Sequence, residues 1–364
     1  MLQERFNELI KMLTPRSKPL LGLDISSSAV KMIELSQSGG GFQVEHYATE
    51  PLPKDAVVEG NLADLEVVSD AVKRAWRRMG TRTRGAAMAL PTSAVITRKV
   101  VMPAAASEDD LEIQVESEAN QYIPFTLEEV NLDFQILGPA PDGAEGEVEV
   151  LIAASRKDKV EDRVAAAQAA GLRVHVMDVE AYATQAAVEL IQKRLPGGGR
   201  KQVLALVDLG ATTMRVTMFH EGVQVYLREQ QVGGNTLTNE IARHFSISAE
   251  EAETAKRQGN LPESYLPEIL QPFRENIAVE IARAHQFFFT STPFSHVDHI
   301  ILAGGCAGMP GLEEAVSTRT QVNTFIANPF ARMTLAPGIK QRQLAADAPA
   351  LLTACGLALR SFDE

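Results

Sequence analysis

The stretch VLALVDLGATT, at residues 203–213, decides the fold. Its apolar run is typical of a buried strand, which ends at Asp208 and is followed by a turn with a glycine and two hydroxyl residues. The stretch LLGLDISSS, at residues 20–28, repeats this arrangement and places Asp24 at the end of an earlier strand. A further alternating apolar segment follows each turn. The repeat predicts two related lobes that hold one ligand between them.

A carboxylate beside a hairpin of small residues suits a magnesium nucleotide. The carboxylate holds the metal, usually through water, while backbone N–H groups and hydroxyls contact phosphate oxygens. Taken alone, the Asp24 hairpin is explained more simply by a turn, and the Asp208 hairpin fits a turn and a phosphate loop equally well. The predicted metal ligands are Asp24 and Asp208. The predicted phosphate-binding residues are Ser26, Ser27, Ser28, Lys31, Gly210, Ala211, Thr212 and Thr213.

Three segments of the second half extend this pattern. Gly233, Gly234 and Thr236 come at the start of a predicted helix, where unpaired N–H groups favour anions, although a simple helix cap explains them too. Gly304 and Gly305 follow a buried strand, and their backbone can lie flat against a purine ring or serve only a tight connection. A helix after Ala249 carries charges that could reach the ribose or base, or simply face solvent. These charges are Glu253, Lys256 and Arg257.

Composition excludes several classes of function. Hydrophobic residues make up 45% of the 364 residues and charged residues 23%, which is typical of a globular protein, and the net charge of −12 argues against broad nucleic-acid binding. Cys306 and Cys355 lack metal-ligand spacing and suit a reducing cytoplasm. No apolar stretch is long enough to span a bilayer. Residues 1–13 predict an amphipathic helix that docks on protein rather than on a membrane surface.

The order of strands, helices and linkers predicts an α/β protein of several parts. Residues 1–19 form an N-terminal helix and linker. The first lobe comprises 20–90 plus 172–199, with a subdomain inserted at 91–171. The second lobe comprises 200–232 plus 296–364, with a small subdomain at 233–295.

The same order of elements resembles the superfamily of actin, Hsp70 and the sugar kinases. Two helices, at 181–194 and 350–359, would connect the lobes, and their small residues allow a close crossing. Four segments resemble the PilM family of type IV pilus assembly proteins more specifically. They are LGLDISSSAVK at 21–31, YIPFTLEEV at 122–130, DVEAYA at 178–183 and ACGLALRSF at 354–362.

This resemblance implies an actin-like (ribonuclease H-like) bilobed ATPase fold with an FtsA-type inserted subdomain, which binds ATP and Mg²⁺. It implies docking of the N-terminal cytoplasmic peptide of PilN, an inner-membrane protein, and leaves the pilus motor ATPases as candidate further partners. The protein would be cytoplasmic and reach the inner membrane through this partner, without a direct membrane anchor. Candidate groove residues, each explained more simply as core, are Val95, Ile96, Ile113 and Tyr122.

A catalytic residue is predicted from the resemblance alone. The resemblance implies that Glu180, at the start of the first connecting helix, positions an attacking water, although a carboxylate there also suits the helix dipole. No counterpart of the phosphate-contacting lysine of Hsp70 is identified. The expectation is slow hydrolysis, or binding without useful turnover. Two alternatives stay open: a small-molecule kinase, and a filament-forming protein of the FtsA kind.

Overall fold

The computed structural model describes residues 19–104, 108–141, 143–144, 146–199 and 201–363. The expected N-terminal helix lies outside the described residues. The chain divides into two compact units. The first consists of the described parts of Met1–Met32, Ala48–Tyr182 and Arg360–Glu364, and the second of Ile33–Tyr47 and Ala183–Leu359.

The described residues form strands and helices in alternation, as expected for an α/β protein. The strands are β1 Leu21–Ile25, β2 Ala29–Ser38, β3 Gly41–Pro51, β4 Val57–Val58, β5 Asn61–Leu62, β6 Gly85–Leu90, β7 Val95–Pro103, β8 Val130–Pro139, β9 Glu147–Arg156, β10 Arg173–Val179, β11 Val203–Leu209, β12 Met214–His220, β13 Val223–Gln230, β14 His299–Ala303, β15 Asn323–Ile326 and β16 Thr334–Leu335. The α-helices are α1 Leu65–Met79, α2 Glu108–Ala119, α3 Lys157–Ala169, α4 Glu180–Gln192, α5 Gly234–Phe245, α6 Ala249–Gln258, α7 Gln271–Ser291, α8 Leu312–Thr320, α9 Gln341–Asp347 and α10 Leu352–Leu359.

A six-stranded sheet has the order β10-β6-β1-β2-β3-β16, and β10, β6 and β1 pair in parallel. Strands β1 and β6 are buried along almost their whole length, which explains their continuous apolar sequences. Helices α1 and α3 contribute to the same core. The core includes Leu21, Leu23, Val68, Val72, Met88, Ala166 and Leu172.

The apolar residues of 65–79 recur at helical spacing, which predicts a helix, and α1 spans the same residues. It begins after Asp64, whose side chain accepts a hydrogen bond from the Val67 backbone N–H, and it ends at Gly80 in a left-handed conformation. Trp76 is half-buried against the core, and its Nε1 donates to the Thr83 carbonyl at 3.0 Å. Trp76 falls on the apolar face of this predicted helix, so its contact with the core is as expected.

An antiparallel three-stranded sheet, of order β7-β9-β8, falls within the predicted insertion at 91–171. Helix α2 packs on it through Leu111, Val115 and Ala119, which recur every four residues and are buried. Ile113 lies midway between two of these positions and therefore points away, with 67% of its surface exposed. Tyr122 is 37% exposed. The interpretation of Ile113 and Tyr122 as core residues is wrong.

The second unit contains a five-stranded sheet of order β13-β12-β11-β14-β15. Strands β11, β12 and β13 are antiparallel, whereas β14 and β15 run parallel to β11. Helix α7 buries Phe273, Ile277, Ile281 and Phe288 at helical spacing in the core of this unit.

Helices α4 and α10 pack closely within the second unit, as their small residues predict. A Cβ atom on Gly356 would overlap the carbonyl oxygen of Ala183, so only glycine fits this crossing. The hydroxyls of Thr184 and Thr353 are 3.0 Å apart.

Among the described residues, no helix combines the length and apolar character needed to cross a bilayer. The sequence pattern missed four strands and one helix, namely β4, β5, β15, β16 and α9.

Candidate functional site

The Asp24 hairpin is held by charge. Lys31, on β2, donates from Nζ to Asp24 Oδ2 at 2.8 Å and to Ser26 Oγ at 3.2 Å. Both charged side chains are about seven-eighths buried, with 14% and 13% of their surfaces exposed. Ser26 Oγ in turn donates to the Ala29 carbonyl at 2.9 Å. The structure therefore joins a predicted metal ligand to two predicted phosphate-binding residues.

The turn after Asp24 is tight. The Ser26 backbone N–H donates to the Ala29 carbonyl at 3.0 Å, and the Ser28 carbonyl accepts from the Leu52 N–H at 2.9 Å. The side chains of Ser27 and Ser28 are half-buried at the tip. Their contact with phosphate stays a prediction.

Arg163 is a residue of this region that the sequence pattern missed. It lies on α3, only 4% exposed, and its guanidinium donates from Nη1 to the Ile25 carbonyl at 3.4 Å and from Nη2 to the Gly60 carbonyl at 2.9 Å. Burial lowers the pKa of Arg163, and the negative charges of Asp24 and Glu180 act in the opposite direction. A signal was present in the sequence, because Arg163 shares the buried face of α3 with Ala166 and Ala167.

Glu180 is the first residue of α4 and is half-buried. Two residues earlier, Asp178 Oδ2 accepts a hydrogen bond from Arg360 Nε at 2.7 Å, which fastens the end of the chain to β10. Ser361 strengthens this attachment, since its Oγ accepts from the Leu20 N–H at 2.8 Å. These contacts anchor the end of β10 just before α4, and the role of Glu180 in positioning water stays a prediction.

The Asp208 hairpin is held by backbone packing. The Gly210 N–H donates to the Thr213 carbonyl at 2.9 Å, which closes the turn. Gly304 packs against Asp208 with a φ of +88°, and a Cβ atom there would overlap the Asp208 carboxylate and the Leu209 carbonyl. Asp208 is half-buried at the end of β11. Glycine is therefore required at 304 by both space and conformation.

The start of α5 is bound to this hairpin. The Gly234 N–H donates to the Gly210 carbonyl at 3.0 Å, and the Asn235 N–H donates to the Ala211 carbonyl at 2.8 Å. A Cβ atom on Gly233 would lie 2.6 Å from the Ala211 carbonyl oxygen. These two helical N–H groups therefore fix the hairpin in place in this structure.

Glu253, on α6, is the centre of a polar cluster rather than part of a solvated face. It accepts hydrogen bonds from Lys256, Thr238 and Arg257 at 2.6 to 2.7 Å. Burial alone would raise the pKa of Glu253, but these hydrogen bonds lower it to about 2. Lys256 Nζ also donates to the Gly234 carbonyl at 3.1 Å. The cluster thereby joins α6 to the start of α5.

Cys306 contacts the Asp208 hairpin, which the sequence pattern did not predict. Its Sγ donates to the Gly210 carbonyl at 3.5 Å, and its backbone N–H donates to the Leu209 carbonyl at 3.1 Å. Burial raises the pKa of the Cys306 thiol. A Cβ atom on the preceding Gly305 would meet no atom within 4 Å, so the loop is open on that side.

The predicted site residues are divided between the two units. The first unit holds Asp24, Ser26, Ser27, Ser28, Lys31 and Glu180. The second holds Asp208, Gly210, Ala211, Thr212, Thr213, Gly233, Gly234, Thr236, Glu253, Lys256, Gly304 and Gly305. That the two carboxylates face each other across one ligand stays a prediction. Within the described residues, no group of three or more His, Cys, Asp or Glu side chains could hold a metal ion by itself.

The strand order and the paired hairpins define the class of protein as an actin-like ATPase fold. Ethanolamine utilization protein EutJ from Carboxydothermus hydrogenoformans is similar over 97% of this chain and 94% of its own, with a TM-score of 0.57 and 16% identity. MreB 5 of Spiroplasma citri bound to AMPPNP is similar over 96% and 97%, with a TM-score of 0.50 and 15% identity. These likenesses confirm the predicted fold class.

The family match is more specific than the fold class. A model of the family described as type IV pilus assembly protein PilM matches residues 22–362, and the chain belongs to this family. The structure described as "PilM-PilN type IV pilus biogenesis complex" is similar over 96% of this chain and 100% of its own, with a TM-score of 0.78 and 29% identity. Cell division protein FtsA of Bacillus subtilis (strain 168) is 23% identical over 359 residues, which cover 85% of this chain and 78% of FtsA.

Proposed function

We propose that this chain is a nucleotide-binding scaffold of the type IV pilus assembly machine that docks the N-terminal cytoplasmic peptide of PilN. It would act on the cytoplasmic face of the inner membrane and be held there by this partner. The observation that carries the proposal is the similarity to the PilM-PilN complex over 96% of this chain, at 29% identity. The FtsA match is more distant, at 23% identity, so the filament-forming alternative has less support.

Binding of ATP with Mg²⁺ is supported by the chemistry of the two hairpins. Mg²⁺ is usually held by one or two carboxylates together with water and substrate phosphates. Asp24 and Asp208 would supply such carboxylates, and Lys31 would supply a cation for phosphate. The MreB structure with AMPPNP shows that the fold accommodates a nucleotide.

The peptide would dock on the first unit, where the predicted insertion exposes apolar side chains. Ile113 is 67% exposed, and Phe125 is 38% exposed close to Tyr122 in the chain. Arg98 lies over the Tyr122 ring at 4.5 Å, and Arg156 lies over the Phe125 ring at 5.6 Å. Exposed aromatic and aliphatic residues of this kind can supply the anchors of a peptide interface. Binding of pilus motor ATPases stays a prediction.

Calorimetric titration of a PilN N-terminal peptide into the purified chain, with and without Mg-ATP, tests the partner. We expect saturable binding that Ile113→Ser weakens about tenfold, because an anchor of this size contributes roughly 1–3 kcal/mol. Val223→Ser is the matched control, since Val223 is 52% exposed in the other unit. Absence of binding in both nucleotide states would remove the partner assignment.

Thermal unfolding with and without Mg-ATP tests the nucleotide. We expect stabilisation of the wild type, which Asp24→Ala or Asp208→Ala reduces. No shift in the wild type at saturating Mg-ATP would contradict nucleotide binding. Release of phosphate, compared between the wild type and Glu180→Gln, then tests whether Glu180 positions water. A slow rate that is lost in the variant supports this role.

A further inference from the structure

Arg163 is a cation buried inside the first unit. Arginine side chains are almost never fully buried unless they are paired, yet Arg163 is only 4% exposed. It lies on the face of α3 that packs into the core beside Ala166 and Ala167. Such a position has a cost in stability, because a buried charge must be compensated by its surroundings. The surroundings of the guanidinium therefore indicate why this residue is charged.

Two carbonyl groups from separate segments receive its hydrogen bonds. Nη1 donates to Ile25, the residue after Asp24, and Nη2 donates to Gly60 in the turn between β4 and β5. Gly60 has a φ of +78°, and a Cβ atom there would lie 2.6 Å from Pro91 Cγ. The turn thus packs closely against Pro91. The planar guanidinium links the end of β1 to this turn.

Two carbonyl oxygens do not neutralise a full positive charge. The carboxylates of Asp24 and Glu180 supply the negative charges that act on Arg163 against the effect of burial. Arginine is not deprotonated in proteins, so the positive charge of Arg163 is always present. Asp24 also has Lys31 as an ion-pair partner, at 2.8 Å. Lys31 belongs to the same hairpin as Asp24, whereas Arg163 lies on α3.

We propose that Arg163 is a positioning residue of the candidate nucleotide site, whose guanidinium fixes the backbone that follows Asp24 and whose charge attracts the Asp24 and Glu180 carboxylates. The proposal rests on the proposed function and deepens it. It makes a residue of α3, the helix that directly follows β9, responsible for the arrangement of the site. It requires no contact between Arg163 and the nucleotide itself.

The first experiment needs no nucleotide. Urea unfolding of the full-length chain is measured for the wild type, Arg163→Met, Glu180→Gln and the double variant. We expect Glu180→Gln to destabilise the wild type but not Arg163→Met, so that the two substitutions are clearly non-additive. The control cycle replaces Arg163→Met by Arg173→Met. Arg173 is exposed, and it lies about 20 Å from Glu180 at the far end of β10. Additivity of Arg163 and Glu180, as in this control, would overturn the proposal.

The second experiment measures Mg-ATP affinity by calorimetry. We expect Arg163→Met to weaken binding about tenfold and Arg163→Lys to restore part of it, because lysine keeps the charge but loses the planar fork. Arg173→Met should bind like the wild type. Unchanged affinity in a folded but less stable Arg163→Met would show a purely structural role and refute the proposal.

The two experiments separate the failure of each idea. If the wild type does not bind Mg-ATP, the nucleotide part of the proposed function fails, while the urea cycle still decides whether Arg163 acts on Glu180. If Arg163→Met does not fold, Arg163→Lys takes its place in both experiments. In that case equal behaviour of Arg163→Lys and the wild type in both would refute the proposal, since the fork would then have no role.

Discussion

The two aspartate hairpins share a sequence pattern but are stabilised in different ways. The Asp24 hairpin depends on charge, because Lys31 pairs with its carboxylate and Arg163 holds the next carbonyl. The Asp208 hairpin depends on glycine, because Gly304 allows a loop backbone to approach the carboxylate closely. A repeated motif thus specifies the same local shape twice while leaving its support to different parts of the chain. Removal of a charge should therefore disturb the first hairpin, and an added methyl group should disturb the second.

The largest expected effect comes from a methyl group in the second hairpin. Gly304→Ala places a Cβ atom on Asp208 and Leu209 in a left-handed conformation, and it should lower the free energy of unfolding by about 3 kcal/mol. Gly305→Ala is the matched control, because its Cβ atom would meet nothing within 4 Å. Urea unfolding measures both. Equal stability of the two variants would show that backbone packing does not support this hairpin.

The glycines made the close packing of the second hairpin predictable from sequence. The charged residues that stabilise the first hairpin were not all predictable. A Cβ atom on Gly233, Gly234 or Gly304 would collide with neighbouring atoms, and glycines near strand ends signal such close approach. Arg163 lies 138 residues from Ile25, and an arginine on a helix is ordinarily solvated. Only its place among buried alanines indicated otherwise.

The fold was predictable for a related reason. Long elements with a clear period, such as α1, were placed correctly, because burial of one face dictates their sequence. The strands β4, β5 and β16 have two residues each and carry no period. Ile113 was misassigned because its apolar character, rather than its position on the helix, was taken as the sign of burial.

The second largest effect is a loss of stability in acid that comes from the second unit. His285 lies in the core of the second unit, and burial lowers its pKa from 6.5 to about 4. The folded protein therefore keeps His285 neutral, while the unfolded chain gains a proton below pH 6.5. Stability from this group is complete above pH 6.5 and is lost as the pH falls towards 4. Between pH 7 and pH 4.5 the loss should be about 2 kcal/mol.

Urea unfolding at pH 7 and pH 4.5 tests this titration. We expect His285→Leu to reduce the loss of stability between the two pH values, because leucine fills the core without taking up a proton. His296→Leu is the control, since the His296 side chain is 65% exposed. An identical acid response of His285→Leu and the wild type would exclude His285 as its source.

The third effect removes the charge that supports the first hairpin. Lys31→Met takes away the ion-pair partner of Asp24, and it should weaken Mg-ATP binding about tenfold, or 1.4 kcal/mol, through the loss of a cation near phosphate. Lys54→Met, at an exposed position of the same unit, should bind normally. Calorimetry measures both. Normal affinity of Lys31→Met would place the phosphates away from this hairpin.

The smallest effect shows where the second unit also uses charge. Glu253→Gln leaves Lys256 without its carboxylate partner and should lower the free energy of unfolding at pH 7 by about 1 kcal/mol. Because the pKa of Glu253 is about 2, its contribution is present above pH 4.5 and is lost as the pH falls from 4.5 towards 2, a window that lies mostly below that of His285.

Glu250→Gln controls for the change of charge, since Glu250 is exposed on the same helix. Lys256 also donates to the Gly234 carbonyl, so its release in Glu253→Gln should loosen the start of α5. Amide hydrogen exchange at Gly234 and Asn235 should therefore accelerate in Glu253→Gln but not in Glu250→Gln. If exchange is unchanged, the polar cluster stabilises α6 alone, and the Asp208 hairpin depends on its glycines without any help from charge.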